Sequence, residues 1–339
     1  MSGDFFFGVF CFLVARWLVL LYNQVAFQRL RPRPTPHQPR ASLLVPARNE
    51  EANLGRTLPG LLRQGALEVL VLDDLSEDGT ADLVRAAAER YPTLRLLAGA
   101  PLPVGWRGKN WAAWQLAQAA KGEVLVFTDA DVFWEEGALG ALLDALERAD
   151  LVSALPKQEA GPEGPVVSFV MNGLFSFLPR PALEALGIAN GQVLAVCREA
   201  YIALGGHEAV RGEVLEDVAL ARRARRVRLY RGERLFRVRM YPSYPEALRG
   251  FAKNFLAIHL EQPIVLFGSA FYHVALYTLP WLFGRWDLGF LGVLERLLVQ
   301  RALGGPLWPA LFTPLAPVLL APVYVMAVLP GRRWKGRPV

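Results

Sequence analysis

The chain has 339 residues, a formal net charge of +6 and 53% hydrophobic residues, above the roughly 45–50% typical of a soluble domain. Its two cysteines, Cys11 and Cys197, lie far apart, which excludes a disulfide framework or a cysteine-based metal site. The length suits one large domain plus membrane segments, and the apolar surplus collects at residues 5–21 and from about 264 to 329.

Phe5–Leu21 is apolar except for Arg16 and extends toward Phe27. Asp4 precedes this run and Arg29, Arg31, Arg33 and Arg40 follow it, the reverse of a cleaved signal peptide. The positive-inside rule puts the N-terminus outside and residue 29 onward in the cytoplasm. Residues 1–28 are thus expected to be a membrane anchor. Arg16 would cost roughly 2.5–3.5 kcal/mol at a bilayer centre, so an interfacial or re-entrant helix is the alternative.

Residues 29–40 contain RPRPTPHQP and predict a stiff linker. Strands then alternate with helices across an expected catalytic domain, residues 41–260. Ser42–Val45, Val69–Leu72, Leu94–Ala98 and Val124–Thr128 read as strands. Glu51–Arg63, Gly79–Tyr91, Asn110–Ala120 and Ala138–Arg148 read as helices. The alternation predicts an α/β fold with a parallel, doubly wound sheet, which binds ligands at the carboxyl ends of its strands. Val166–Leu178 is nearly all apolar and suits either the core or a lipid interface.

Residues 261–331 are expected to return to the membrane, with spans at about 264–283 and 307–329. Between them, residues 288–303 carry Glu295, Arg296 and Arg301 and read as an interfacial helix or a short span. The basic tail 332–339 would lie in the cytoplasm. The expectation is a multi-pass protein of the cell inner membrane with a cytoplasmic catalytic domain.

Three acidic clusters carry the chemistry. The second strand runs into Asp73-Asp74, the fourth into Asp129-Ala130-Asp131, and Glu216-Asp217 comes much later. Carboxylates at i and i+2 on an extended segment project to one side. Their mutual repulsion calls for a cation, and Mg²⁺ or Mn²⁺ commonly bridges such a pair to phosphates. Val45-Pro46-Ala47-Arg48-Asn49-Glu50 forms a tight strand exit, and Gly108-Lys109-Asn110 opens a helix whose free N–H groups suit a phosphate. Residues 222–239 hold nine arginines interleaved with Val227, Leu229, Leu235 and Val238. They suggest a hairpin with one basic face, better suited to an anionic membrane surface than to nucleic acid.

V-P-A-R-N-E-E, D-D-x-S-x-D-G-T, G-K-N, D-A-D and E-D, in this order and spacing, resemble the family 2 inverting glycosyltransferases, whose fold is the A-type nucleotide-sugar-binding domain. The resemblance implies that Pro46, Arg48 and Glu50 line the nucleotide pocket and that Asp74, with Asp73, meets the base. It places Lys109 and Asp129 at the donor diphosphate, Asp129 and Asp131 on the metal, and Asp217 as the base, with Glu216 second. Asn190-Gly191-Gln192, Gly205-Gly206-His207-Glu208 and Gly250-Phe251-Ala252-Lys253-Asn254 further resemble bacterial hopene-associated and carotenoid glycosyltransferases. Gln192 and His207 would lie on the acceptor side, a structural role for His207 being preferred to a second base. The Gln-x-x-Arg-Trp motif of processive synthases is absent from the sequence. The implied reaction moves one sugar from a nucleotide-diphosphate sugar, a UDP-sugar first, to a membrane lipid hydroxyl on a carotenoid, hopanoid or similar terpenoid. Alternatives are a polyprenyl-phosphate glycosyltransferase, a nucleotidyltransferase and a non-catalytic scaffold.

Overall fold

The computed structural model describes residues 3–36, 40–330, 333–334 and 337–338. In chain order its elements begin with helix α1 (Gly3–Ala26), strand β1 (Ala41–Ala47), α2 (Glu51–Leu62), β2 (Glu68–Asp73), α3 (Thr80–Ala88) and β3 (Leu94–Ala98). Helix α4 (Gly108–Ala119) leads to β4 (Val124–Thr128), β5 (Val132–Trp134), α5 (Ala138–Leu146), β6 (Leu151–Leu155) and β7 (Lys157–Gln158). Next come α6 (Gly164–Met171), α7 (Arg180–Ala185), β8 (Val193–Cys197), α8 (Arg198–Ala203), α9 (Glu216–Ala221), β9 (Val227–Arg231) and β10 (Phe236–Val238). The C-terminal third adds α10 (Tyr244–Ile258), α11 (Pro263–Tyr277), α12 (Leu279–Leu282), α13 (Trp286–Ala302), α14 (Ala316–Leu319) and α15 (Ala321–Val328).

These elements form two compact units. One comprises Gln28–Lys157 and Leu183–Val238; the other comprises Met1–Phe27, Gln158–Ala182 and Arg239–Val339. The grouping departs from the expected continuous domain 41–260, because residues 158–182 and 239–260 pack with the terminal helices.

The first unit holds a seven-stranded sheet in the order β3-β2-β1-β4-β8-β6-β9. Strands β3, β2, β1 and β4 run parallel, as the alternating pattern predicts. Their apolar runs are buried on both faces, Leu44, Leu70 and Leu125 being wholly inaccessible. The sheet is mixed rather than all parallel, because β8 runs antiparallel between β4 and β6. The chain leaves β6 at one end of the sheet and re-enters at that same end, which fixes the opposite direction. Consequently Val193, the first residue of β8, pairs with Thr128, the last of β4. The expected linker is bound along this unit: Leu30 N donates to Arg231 O at 2.9 Å and Arg33 N to Gly137 O at 3.1 Å. His37, Gln38 and Pro39 lie outside the described residues.

The arginine-rich run does not form a hairpin, since β9 pairs with β6 and β10 with β5, and several of its arginines are engaged. Arg226 pairs with Asp150 at 2.9 Å, Arg228 with Glu184 at 3.2 Å and Arg237 with Glu135 at 3.2 Å. Arg222 and Arg223 donate to the carbonyls of Leu186 and Leu204.

The second unit has a buried apolar core that includes Leu13, Phe251 and Tyr277. Large apolar side chains also face outward, including Phe7, Leu18 and Val25 of α1, Ile264 and Phe271 of α11, and Phe290 of α13. Three charged residues, Arg16, Glu295 and Arg296, face inward. Arg16 donates to Ser176 Oγ at 2.7 Å and to Glu295 Oε1 at 3.2 Å. Glu295 also accepts from Tyr277 Oη at 2.9 Å, and Arg296 donates to the carbonyls of Ser168 and Phe169. Helix α13 therefore turns Glu295 and Arg296 inward, contrary to an interfacial helix with a solvated charged face. The ion pair also answers the objection raised by Arg16, since ionisable groups in membrane helices face the bundle interior and pair there. Within Val166–Leu178, Val166, Val167, Phe169 and Phe175 are core residues.

Among the described residues one helix, Gly3–Ala26, is long and apolar enough to cross a membrane, and α10 with α11 passes only as a pair bent by 116°. The expected span 264–283 is split between α11 and α12. The expected span 307–329 breaks into a 3₁₀ turn at Trp308–Phe312 followed by α14 and α15. Pro309, Pro314, Pro317 and Pro322 cause this, since each removes a helix N–H donor. In the basic tail, the backbones of Arg333–Trp334 and Arg337–Pro338 pair antiparallel, while Arg332 and Lys335 lie outside the described residues.

Replacing Glu295 by alanine strands Arg16 and Arg296 in an apolar interior. Thermal unfolding in detergent should show a drop in Tm equivalent to a loss of about 3–5 kcal/mol. Glu295→Gln, which keeps an acceptor for Tyr277, should lose less. An unchanged Tm for E295A would refute the internal ion pair as a structural element.

Candidate active site

The site is assembled from strand ends of the first unit. After β1 the chain turns sharply through Asn49, whose φ is 51°. Arg48 then spans to the next strand exit, its Nη1 donating to the carbonyls of Asp74 at 2.7 Å and Leu75 at 2.8 Å. Asn49 and Ser76 cross-link the same two loops, as do Glu50 N and Thr80 Oγ1 at 2.8 Å. Asp74 is buried, and Asp73 Oδ1 accepts from Ser76 N. Gly99 closes the third strand exit on the second, where a Cβ would stand 2.8 Å from Asp73 O. Arg48 and Asp73 thus fix the first two strand exits against each other.

The β4 exit carries Asp129 and Asp131 and is fixed by its neighbours. Thr128 Oγ1 donates to Gln192 O at 3.0 Å, Asp129 N donates to the same carbonyl, and Thr57 Oγ1 holds Ala130 O at 2.7 Å. The antiparallel entry of β8 places Gln192 there. Its backbone braces the acidic strand end, and its side-chain oxygen accepts from Asn190 Nδ2.

Lys109, in the first turn of α4, bridges the two acidic clusters. Its Nζ lies 2.9 Å from Asp129 Oδ1 and 3.0 Å from Glu216 Oε1. Desolvation opposes its charge, but Asp129, Glu216 and Asp217 outweigh this and hold its pKa well above the ordinary lysine value. Burial would raise the pKa of Glu216, yet Lys109 lowers it below the ordinary value, leaving Glu216 a poor base. Asp217 differs from its neighbour: burial, then the Glu216 charge, push it up to about 6. Its oxygens accept from Gly191 N at 2.6 Å and Val218 N at 2.8 Å, which orients the carboxylate.

Burial, then the charges of Asp129 and Glu50, push Asp131 up to about 8. Its Oδ1 is buried without a hydrogen-bond partner. Among the described residues no group of three or more His, Cys, Asp or Glu side chains is arranged to hold a metal alone. An orphaned carboxylate oxygen beside a second carboxylate instead fits a hard cation that completes its shell with water and phosphate oxygens.

Pro46, Lys109, Asp129, His207, Glu216 and Asp217 line one pocket. His207 is buried, and burial lowers its pKa to about 4, so the ring is neutral near pH 7. His207 N donates to Tyr201 Oη at 3.0 Å, and the same hydroxyl lies in hydrogen-bond contact with His207 Nδ1 at 2.8 Å. A fixed neutral imidazole suits a positioning role.

Asn110 was named in the sequence only as part of a helix start. Buried at the base of α4, it donates through Nδ2 to the carbonyls of Val210 at 2.7 Å and Glu213 at 3.1 Å. It ties the loop leading to Glu216-Asp217 onto the helix that carries Lys109. No local pattern signals this, because its partners lie a hundred residues away.

Residues 42–178 match the family model described as Glycosyl transferase family 2, a span that includes Pro46 to Asp131 but not Glu216 and Asp217. The chain is 26% identical over 253 residues to 4,4'-diaponeurosporenoate glycosyltransferase of Staphylococcus haemolyticus, covering 69% of this chain and 66% of that one. It is 31% identical over 195 residues to N-acetylglucosaminyl-diphospho-decaprenol L-rhamnosyltransferase of Mycobacterium tuberculosis, covering 48% and 62%. The matches thus span just under two thirds of the length of these relatives. In fold, the chain is similar to a mannosyltransferase of Pyrobaculum calidifontis solved with GDP-Man and Mn²⁺, with a TM-score of 0.58, 21% identity and 96% coverage of both chains. The strand-end carboxylates therefore belong to a glycosyltransferase domain of family 2, carried on a mixed α/β sheet.

Proposed function

We propose that this chain is a non-processive inverting glycosyltransferase that moves one sugar from a nucleotide-diphosphate sugar to a hydroxyl of a membrane lipid. The observation that supports the reading is the Lys109 ammonium, which joins Asp129 to Glu216 and so brings the neighbouring Asp217, oriented by Gly191 N and Val218 N, into the pocket lined by Asp129. The terpenoid named for the staphylococcal relative supports a carotenoid-like skeleton in the acceptor, while its own reactive group is a carboxylate rather than a hydroxyl. A UDP-sugar remains the first donor to test, alongside GDP-sugars.

In this mechanism Arg48, Asp73 and Asp74 shape the nucleotide end, and Lys109 moves its charge from Asp129 to the diphosphate. Asp129 and Asp131 would hold Mg²⁺ or Mn²⁺. When bound, such an ion supplies Lewis-acid stabilisation of the charge that grows on the departing diphosphate. Asp217 takes the acceptor hydroxyl proton as its oxygen attacks the anomeric carbon, and that single displacement inverts the centre. Glu216 stays charged and holds Lys109 in place.

We further propose that the second unit is embedded in a bilayer, α1 crossing it and the remaining apolar helices lying within it. The outward apolar and inward charged side chains support a multi-pass or partly re-entrant arrangement, with the catalytic unit in the cytoplasm. A second reading is a polyprenyl-phosphate acceptor, whose phosphate oxygen needs no base; the relative named for N-acetylglucosaminyl-diphospho-decaprenol supports the polyprenyl carrier only, because its diphosphate is already capped by a sugar. The engagement of Arg222, Arg223 and Arg226 by carbonyls and Asp150 weakens it.

Incubation of the purified protein with Mn²⁺, UDP- and GDP-sugars and hydroxylated or phosphorylated lipids, read by mass spectrometry, separates these readings. Asp217→Asn should abolish transfer to a hydroxyl while sparing donor binding. Wild-type kcat/KM should fall about tenfold per pH unit below about pH 6, where Asp217 holds its proton. A flat profile there, or an active D217N, would remove its assignment as base.

For Asp131 the folded-state pKa lies above the unfolded one, so its charge destabilises the metal-free fold progressively as pH rises from about 4 to about 8. Asp131→Asn should raise the metal-free Tm at pH 8 and weaken Mn²⁺ binding by about tenfold or more in calorimetry. Unchanged Mn²⁺ affinity would exclude it as a ligand.

Asn110→Ala should lower kcat by up to about 10²-fold with a much smaller change in donor KM. Equal effects on kcat and KM would identify a merely structural residue.

A further inference from the structure

Between β3 and α4 the chain reads Ala100-Pro101-Leu102-Pro103-Val104-Gly105-Trp106, seven residues without a charged or hydrogen-bonding side chain except the Trp106 indole. Exposed turns ordinarily carry Gly, Pro, Asn, Asp or Ser. Here Val104 is fully exposed, at 102%, and Leu102 is 37% exposed. Trp106 N donates to Pro103 O at 3.2 Å, and Gly105 has φ of 82°, which marks a type II turn with Val104 at its tip.

The turn is rigidly mounted. Ala100 N donates to Gln115 Oε1 at 2.8 Å, and Trp111 Nε1 donates back to Ala100 O at 3.0 Å. Trp106 packs edge-on against Trp111, with ring centroids 5.0 Å apart. Two prolines restrict the remaining backbone. The turn is also fastened to the loop preceding Glu216-Asp217, since Arg107 N donates to Arg211 O at 2.8 Å and Arg107 Nε to Gly212 O at 3.2 Å.

We propose that the Pro103–Trp106 turn inserts into the bilayer surface and seats the catalytic loop against the lipid, so that an acceptor's reactive end is presented to Asp217. This inference rests on the membrane reading of the second unit. The occupant is a lipid surface for three reasons. The exposed apolar tip is too small for a protein interface, which needs roughly 20–30 residues a side. Tryptophan is a residue of membrane–water interfaces. Arg107 and the exposed Arg211 flank the tip and complement anionic headgroups. Because the turn is already ordered, insertion costs little conformational freedom.

The test uses the full chain with Cys11 and Cys197 replaced by serine, reconstituted in vesicles of phosphatidylcholine and phosphatidylglycerol that contain lipids spin-labelled near the headgroup. A fluorescent label at Val104→Cys should be blue-shifted and at least twofold more quenched than one at Asp82→Cys, on the exposed face of α3. A label at Leu18→Cys reports the α1 anchor independently. Quenching at Leu18 but not at Val104 overturns the inserted turn and leaves the anchor standing; no quenching at either removes the membrane reading itself. Val104→Asp should raise the apparent KM for a vesicle-borne lipid acceptor about fivefold or more while leaving donor hydrolysis without acceptor unchanged. An unaltered acceptor KM contradicts the proposal.

Discussion

Lys109 has two carboxylate partners and stands between clusters that would otherwise repel. Asp129, Asp131, Glu216 and Asp217, together with Glu50, bring more negative charge into one crevice than a single ammonium can neutralise. Like charges at this spacing raise one another's pKa, and the surplus is visible as an elevated Asp131 with an orphaned oxygen. The site is therefore built with a deficit of positive charge, which a bound divalent cation would relieve. The same ammonium separates the two neighbouring acids: Glu216 is paired and held charged, whereas Asp217 is hydrogen-bonded only by backbone N–H groups and retains basicity.

Holding that arrangement requires rigid supports on every side. The β8 strand brings Gln192 to the end of β4, Thr57 and Thr128 hold the acidic segment, and Asn110 clamps the loop that leads into α9. Each is a neutral side chain that bonds a backbone carbonyl near the acidic residues, so orientation is set without adding charge. The second unit encloses an ion pair, Arg16 with Glu295, and exposes large apolar side chains around its buried core, which supports the membrane setting proposed for it.

Much of the core sheet was legible because its signal is local. Apolar runs of four to six residues followed by amphipathic helices predicted β1 to β4 and α2 to α5 within a few residues, and the acidic pairs at the ends of β2 and β4 were recognisable from their place in that alternation. The C-terminal apolar runs fold into shorter elements than hydropathy suggests: hydropathy averages over residues, whereas each proline acts at a single backbone N–H, and four of them divide residues 307–329.

The sequence alone determined which residue types stand at the strand ends, their order along the chain and hence their family resemblance, since these are properties of neighbouring residues. Only the tertiary structure decided that β8 enters antiparallel, that the domain is discontinuous, that Lys109 joins Asp129 to Glu216 and that Arg16 meets Glu295. The partners in these contacts lie far apart in the chain. Packing, not periodicity, chooses them, and a charge's pKa follows from the partner it is given.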